Sequence, residues 1–266
     1  MTKPAKNVLA EILAHKRQEI AAIKKNDAVL WRERAAAAPQ PKDFLASLRA
    51  CPQAPIIAEI KRRSPSNGDI RPDVSLTKQA LSYQQAGAAA ISVLTDEVFF
   101  GGSLQDIIQL RPLMDIPILR KDFIIDPIQL HQAKAAGADA ILLIAAALGK
   151  DQMKELYDEA ISLGLTVLWE VHGEEELEPV LALDPPLMGV NNRDLGSLKV
   201  DLQTSLRLRP LIPARTLVVA ESGIQSPQDV ARLLAGGLDA FLVGTALMRS
   251  ADPLAALKSL LKVEKS

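Results

Sequence analysis

The 266 residues contain a single cysteine, Cys51, so no internal disulfide is possible and a cysteine-built zinc cluster is excluded. A reducing compartment suits such a chain, and a cytoplasmic location is expected. The three histidines, His15, His131 and His172, are scattered without metal-ligand spacing; surface or structural roles are expected of them, and no metal site. No run approaches the ~18 consecutive apolar residues of a membrane span. A formal charge of -1 gives no general attraction for nucleic acid or a membrane surface. The opening residues Met1 to Lys6 are basic, but Glu11 and Glu19 follow, with no apolar region leading to a small-residue cleavage site. That argues against a secretory signal and leaves an organellar transit peptide as the weaker alternative.

Hydrophobic residues account for 48% and charged residues for 24%, enough apolar material for a large globular core. After Pro55 that material falls into short apolar runs, each followed by turn residues and a helical pattern. The runs are 56–60, 89–94, 116–119, 140–145, 165–168, 187–190, 217–220 and 240–243. Seven steps of about 26 residues carry the first run to the last, which suits a repeating strand, loop and helix. Eight such units predict an α/β protein, a closed (βα)8 TIM barrel. An internal echo supports the repeat: the segments around Gly87, Gly137 and Gly237 share one pattern, and each glycine suits a helix end at positive φ. Helix starts are marked by Asp126-Pro127, Ser226-Pro227 and Asp252-Pro253, with Asp229 completing a capping-box spacing from Ser226.

The first fifty residues lie outside this rhythm. Val8, Leu9, Ile12, Leu13, Ile20 and Ile23 form an apolar stripe at helical spacing, which predicts a helix packed against the barrel. A coiled-coil contact is poorly supported, because Lys16 and Gln18 interrupt the heptad seam. The expected division is an N-terminal helical extension over 1–50 and a catalytic barrel over 51–266.

Alternate strand residues face the barrel interior, and chemistry gathers where strands end. On the first strand Ile57, Glu59 and Lys61 share a face. Leu119 and Lys121 do so on the third, Leu168 and Glu170 on the fifth, Gly189 and Asn191 on the sixth, Val219 and Glu221 on the seventh. Any one of these polar groups suits a solvated or paired rim residue. Five strands presenting Glu, Lys or Asn at equivalent ends form a functional pattern, in which amines beside carboxylates stay protonated and can act as acids. Ser222-Gly223 after the seventh strand and Gly244-Thr245 after the eighth are where a phosphate sits in this architecture, with glycine admitting close backbone approach. Ser64 to Gly68, after the first strand, suits either a ligand-closing loop or an ordinary turn. Trp169 is expected to face outward beneath a helix. Phe100 suits either a pocket for an aromatic ring or a simple cover over the barrel end.

These segments, taken in order, resemble the indole-3-glycerol phosphate synthase family. The resemblance is carried by Ala58-Glu59-Ile60-Lys61 with Ser64-Pro65-Ser66, by Phe100-Gly101-Gly102-Ser103 and by Leu119-Arg120-Lys121-Asp122-Phe123. Glu170-Val171-His172, Asn191-Asn192-Arg193-Asp194-Leu195 and Ala220-Glu221-Ser222-Gly223-Ile224 complete it. It implies closure of the indole pyrrole ring in tryptophan biosynthesis: 1-(o-carboxyphenylamino)-1-deoxyribulose 5-phosphate becomes indole-3-glycerol phosphate, with loss of carbon dioxide and water. It implies no redox cofactor and no metal. Under the resemblance Lys121 is the general acid and Glu170 serves the later proton transfers. Lys61 holds an anionic group or donates a proton, while Glu59, Asn191 and Glu221 orient the substrate and tune the lysines. Ser64, Ser222, Gly223, Gly244 and Thr245 hold the phosphate, Arg193 supports Asn191, and Phe100 packs on the anthranilate ring. Trp169 and Thr245 depart from the residues commonest in the family, without removing an inferred catalytic group.

The rival enzymes are phosphoribosylanthranilate isomerase and the tryptophan synthase α subunit, whose chemistries do not call for Lys61, Lys121 and Glu170 together. A rival of another class is a catalytically silent sugar-phosphate-binding barrel serving as sensor or scaffold, from which an acid or base would be missing. The expected partner is a small phosphorylated molecule, with no nucleic acid or membrane, and the chain a monomer or weak homo-oligomer.

Overall fold

The computed structural model describes residues 8–65, 68–71 and 73–263. Eight parallel strands close into a barrel: β1 (Ile56–Ile60), β2 (Ala90–Leu94), β3 (Ile118–Lys121), β4 (Ala140–Ile144), β5 (Thr166–Val171), β6 (Leu187–Asn191), β7 (Leu217–Glu221) and β8 (Ala240–Val243). Each pairs with its sequence neighbours, and β8 returns to β1 with Phe241 beside Ile56. The expected strands are all present, but β3, β5, β6 and β7 run one to three residues past their apolar runs. Each of these strands continues to a polar residue, Lys121, Glu170, Asn191 or Glu221, that lines the cavity at the barrel mouth and so lies beyond the apolar run.

The pleat divides the core in two. Ile57, Leu119, Leu142, Leu168, Val219 and Leu242 fill the barrel interior, while Ile56, Ile91, Ile141, Val167, Trp169 and Val218 pack outward beneath the helices. Trp169 is fully buried and meets Tyr157 of the covering helix Lys150–Ser162 with ring centroids 6.1 Å apart.

The capping signals act as expected. Asp126 and Ser226 each make a reciprocal box, with Gln129 and Asp229, and Asp252 accepts from the Ala255 amide. Gly87 and Gly137 end their helices at φ 102 and 90, where a side chain would be strained.

Among the described residues three helices precede the barrel: α1 (Val8–Asn26), α2 (Ala28–Ala37) and α3 (Phe44–Arg49). Phe44 and Leu48 of α3 are fully buried in the interior cluster and plug the amino end of the barrel. The Ser47 hydroxyl donates to the Ala89 carbonyl there. At the opposite end, Val8, Leu9 and Ile12 of α1 form part of a cavity wall.

Candidate active site

A cavity of about 710 Å³ opens at the carboxyl ends of the strands. All thirteen residues singled out as candidate site residues line it: Glu59, Lys61, Ser64, Phe100, Lys121, Glu170, Asn191, Arg193, Glu221, Ser222, Gly223, Gly244 and Thr245. Leu142, Ile144 and Leu242 form its apolar floor. Ser66 and Asn67 lie outside the described residues.

At the centre is Lys121, the last residue of β3. Its Nζ lies 3.0 Å from Glu170 Oε2 and 3.3 Å from Glu221 Oε2. Burial alone would lower the pKa of this amine, but the charges of Glu170, Glu221 and Glu59 outweigh it and hold the group above its ordinary value. Lys121 is therefore an ammonium at neutral pH. Just past β1, Lys61 pairs with Glu59 at 2.5 Å.

The two glutamates around Lys121 differ. Burial would raise Glu170, but Lys121 and His172 outweigh it and hold the carboxyl well below the usual range. For Glu221 burial prevails, partly offset by Lys121 and reinforced by Glu170, and its carboxyl is pushed up to about 8. The site thus sets an ionised carboxylate and a carboxylic acid on either side of one ammonium, a basis for moving protons in both directions.

Glycine makes room for these acids. A Cβ on Gly189 would stand 2.1 Å from Glu221 Oε1, and one on Gly244 would stand 2.3 Å from Glu59 Oε1. Gly244, expected at the phosphate, also makes room for Glu59 in the space of its missing side chain. Ser222 sits at φ 65 and Gly223 at φ 85, a left-handed pair rarely adopted by a residue such as serine. Asn192 pins this turn by donating to the Glu221 and Ser222 carbonyls, at 3.0 and 3.1 Å. Asn191 Oδ1 accepts from the Arg193 amide at 3.0 Å, and the Arg193 guanidinium donates to the Leu198 carbonyl. Phe100 faces Phe123 across 5.9 Å on another side of the cavity.

Two residues outside the candidate set acquire partners near it. Lys16, which interrupts the heptad seam of α1, is only 3% exposed. Its Nζ lies 2.7 Å from Glu19 and 3.0 Å from both Asp96 and Asp122. Burial would lower this amine, but Asp122 and Asp96 hold it above its ordinary value. Asp96 in turn caps the short helix Glu97–Phe100, and Asp122 follows Lys121 in sequence. Lys16 therefore ties α1 to the two segments that place Phe100 and Lys121. Of the two roles expected for His172, surface or structural, burial favours the second: its Nε2 lies 3.3 Å from Glu170 Oε1, an ion-pair separation rather than an aligned hydrogen bond. His15 and His131 pair with Glu19 and Glu159, away from the cavity. Arg249, also missed, lines the cavity beyond Thr245. The one signal for it was its place four residues on, one helical turn after that threonine.

Among the described residues no cluster of three or more His, Cys, Asp or Glu is arranged to hold a metal, and no helix is long and apolar enough to cross a membrane.

Solved structures similar to the chain include the tryptophan synthase α subunit of Legionella pneumophila, with TM-score 0.58 and 17% identity, covering 82% of this chain and 94% of that one. Thiamine phosphate pyrophosphorylase of Pyrococcus furiosus gives 0.57 and 20%, covering 79% and 94%. At such identities the likeness speaks for the barrel fold alone. Sequence similarity is far more specific. An indole-3-glycerol phosphate synthase from Rhodopirellula baltica is 51% identical over 96% of this chain and 98% of its own length. Another from Bacteroides thetaiotaomicron is 45% identical over 97% and 98%. With the family model for indole-3-glycerol phosphate synthase matching residues 9–260, and thirteen strand-end residues gathered around one cavity, the chain belongs to the indole-3-glycerol phosphate synthase family.

Proposed function

We propose that this barrel closes the pyrrole ring of 1-(o-carboxyphenylamino)-1-deoxyribulose 5-phosphate, releasing carbon dioxide and water to leave indole-3-glycerol phosphate. The observation that carries this reading is Lys121 held between Glu170 and Glu221 in a cavity with Phe100 on one side and the Gly223 and Gly244 turns on another. The substrate asks for that division: an aromatic ring, a carboxylate and a phosphate joined by a carbonyl-bearing chain. Lys121, an ammonium in a desolvated site, protonates the carbonyl oxygen as the aromatic carbon attacks it. Carbon dioxide then leaves that ring carbon. Glu170 accepts a proton as aromaticity is restored and the hydroxyl departs as water. Lys61, paired with Glu59, meets the substrate carboxylate or delivers the proton to the leaving hydroxyl. Glu59, Asn191 and Glu221 orient the substrate, and Arg193 steadies Asn191. The Gly223 and Gly244 backbones, with Ser64, Ser222 and Thr245, receive the phosphate.

Residues 1–50 serve this reaction as an extension to a catalytic barrel of 51–266, and the enzyme works in the cytoplasm as a monomer or weak homo-oligomer. The direct test supplies the purified protein with the carboxyphenylamino-deoxyribulose phosphate and follows indole absorbance. Folded protein that leaves this substrate unconverted overturns the activity and leaves the fold untouched.

A further inference from the structure

Two glutamates flank one ammonium in this site. Lys121 Nζ donates a hydrogen bond to Glu170 at 3.0 Å and only approaches Glu221, at 3.3 Å. A second difference lies behind them. Glu170 Oε1 has a second cation at 3.3 Å, the Nε2 of His172, whereas among the described residues Glu221 has Lys121 as its sole ion-pair partner. His172 is itself held from the far side. Glu176 Oε2 accepts from the His172 backbone N–H at 2.8 Å and lies 3.3 Å from Nδ1. This arrangement is local: β5 ends at Val171, and the turn Glu174–Glu176 brings Glu176 back onto the ring. The His172 side chain is 8% exposed, so water screens these charges weakly. The other acid near the ring is Asp194, after β6, and its carboxylate is bonded to Ser197 instead.

We propose that His172, oriented by Glu176, is a positioning residue that braces Glu170 against Lys121 and so makes Glu170, and not Glu221, the carboxylate that takes up protons after ring closure. The inference rests on the ring-closing reading above and assigns a role to a side chain outside the cavity lining. The charges agree with the geometry. Burial would lower the His172 pKa, but Glu170 and Glu176 outweigh it and push it up to about 10, so both ring nitrogens carry protons at neutral pH. The added cation helps Lys121 hold Glu170 ionised, and the charge of Glu170 in turn helps push Glu221 up.

His172→Gln keeps a polar side chain and removes the charge. Turnover is expected to fall about tenfold at neutral pH, a fraction of what a proton-transfer group contributes outright, with KM little changed. The acid limb of the kcat profile should move to higher pH, because Glu170 has lost a cation. Glu176→Gln keeps an acceptor for the backbone N–H, and should shift the profile the same way by less, whether or not the first variant folds. In the unmodified protein, NMR of the His172 ring protons should find the imidazole still protonated at about pH 8. A ring titrating near the ordinary histidine value overturns the proposal. So does a variant that melts earlier with unchanged turnover and pH profile. Unmodified protein inert towards the substrate removes the ring-closing reading instead, and the NMR titration, which needs no turnover, tells the two failures apart.

Discussion

The two ends of this barrel treat charge in opposite ways. At the amino end, Asp139 accepts from the Ile118 amide at 2.7 Å, from Arg111 at 2.6 Å and from the Lys42 amide at 2.6 Å. Asp239 likewise accepts from the Val218 amide at 2.8 Å. Each aspartate closes the start of the preceding strand, and Phe44 and Leu48 seal the apolar space between the strands. At the carboxyl end, Glu59, Glu170 and Glu221 crowd around two lysines, neither Glu221 oxygen has a hydrogen bond among the described residues, and Ser222 holds a strained φ. One end satisfies its polar groups with fixed backbone partners. The other keeps them poised for a ligand, at a cost in stability.

The largest expected departure is at the carboxyl end. Lys121→Met should lower turnover by roughly two to four powers of ten, the usual contribution of a positioned acid, with folding intact. Steady-state kinetics beside a melting curve checks this, and near-normal turnover would remove Lys121 from the mechanism. Asp139→Ala should show the mirror image: about 2 kcal/mol of stability lost, because the buried Ile118 amide and the half-buried Arg111 guanidinium lose their acceptor, with kcat unchanged in what remains folded. Urea unfolding measures the loss, and a fall in kcat would erase the contrast between the ends.

Lys16→Met tests the link that α1 makes to the active end. Leaving Asp96 and Asp122 buried without their shared cation should cost about 3 kcal/mol. It should also raise KM, because Asp96 caps the helix that carries Phe100. A stability loss with unchanged KM would make α1 only a brace.

Gly244→Ala is a finer probe. Its Cβ would meet Glu59 at 2.3 Å, so turnover should fall even if inorganic phosphate binds normally. Calorimetry with phosphate, set beside kcat, separates the two duties of this glycine.

The smallest effect is a pH dependence. His172 has a folded pKa of about 10 against 6.5 for the free side chain, so its stabilising contribution is complete below about pH 6.5 and fades as the pH rises towards 10. The melting-temperature gap between unmodified protein and His172→Gln should therefore narrow over that window. A gap that widens there would reverse the assigned charge.

Much of this contrast was legible in the chain. The strand rhythm placed all eight strands, because a buried parallel strand must be apolar on both faces. Period-two counting then placed Glu59, Lys121, Glu170, Asn191 and Glu221 at one rim. The Gly137 and Gly237 echoes were visible, yet the aspartates two residues on, Asp139 and Asp239, were passed over because their partners are backbone amides of another strand. The partners of Lys16 and His172 were illegible for a related reason. A lysine in an apolar stripe reads as a defect until two aspartates from distant loops enclose it, and a histidine beyond a strand end reads as surface until its neighbours turn back on it.

The sequence by itself determined the repeat, the caps, the inward alternation and the family, since these depend on local backbone geometry and on residue types in order. Only the tertiary structure decided which charges neutralise one another. Coulomb energy and desolvation depend on distances across the barrel, and those exist only once β3, β5 and β7 bring Lys121 between Glu170 and Glu221.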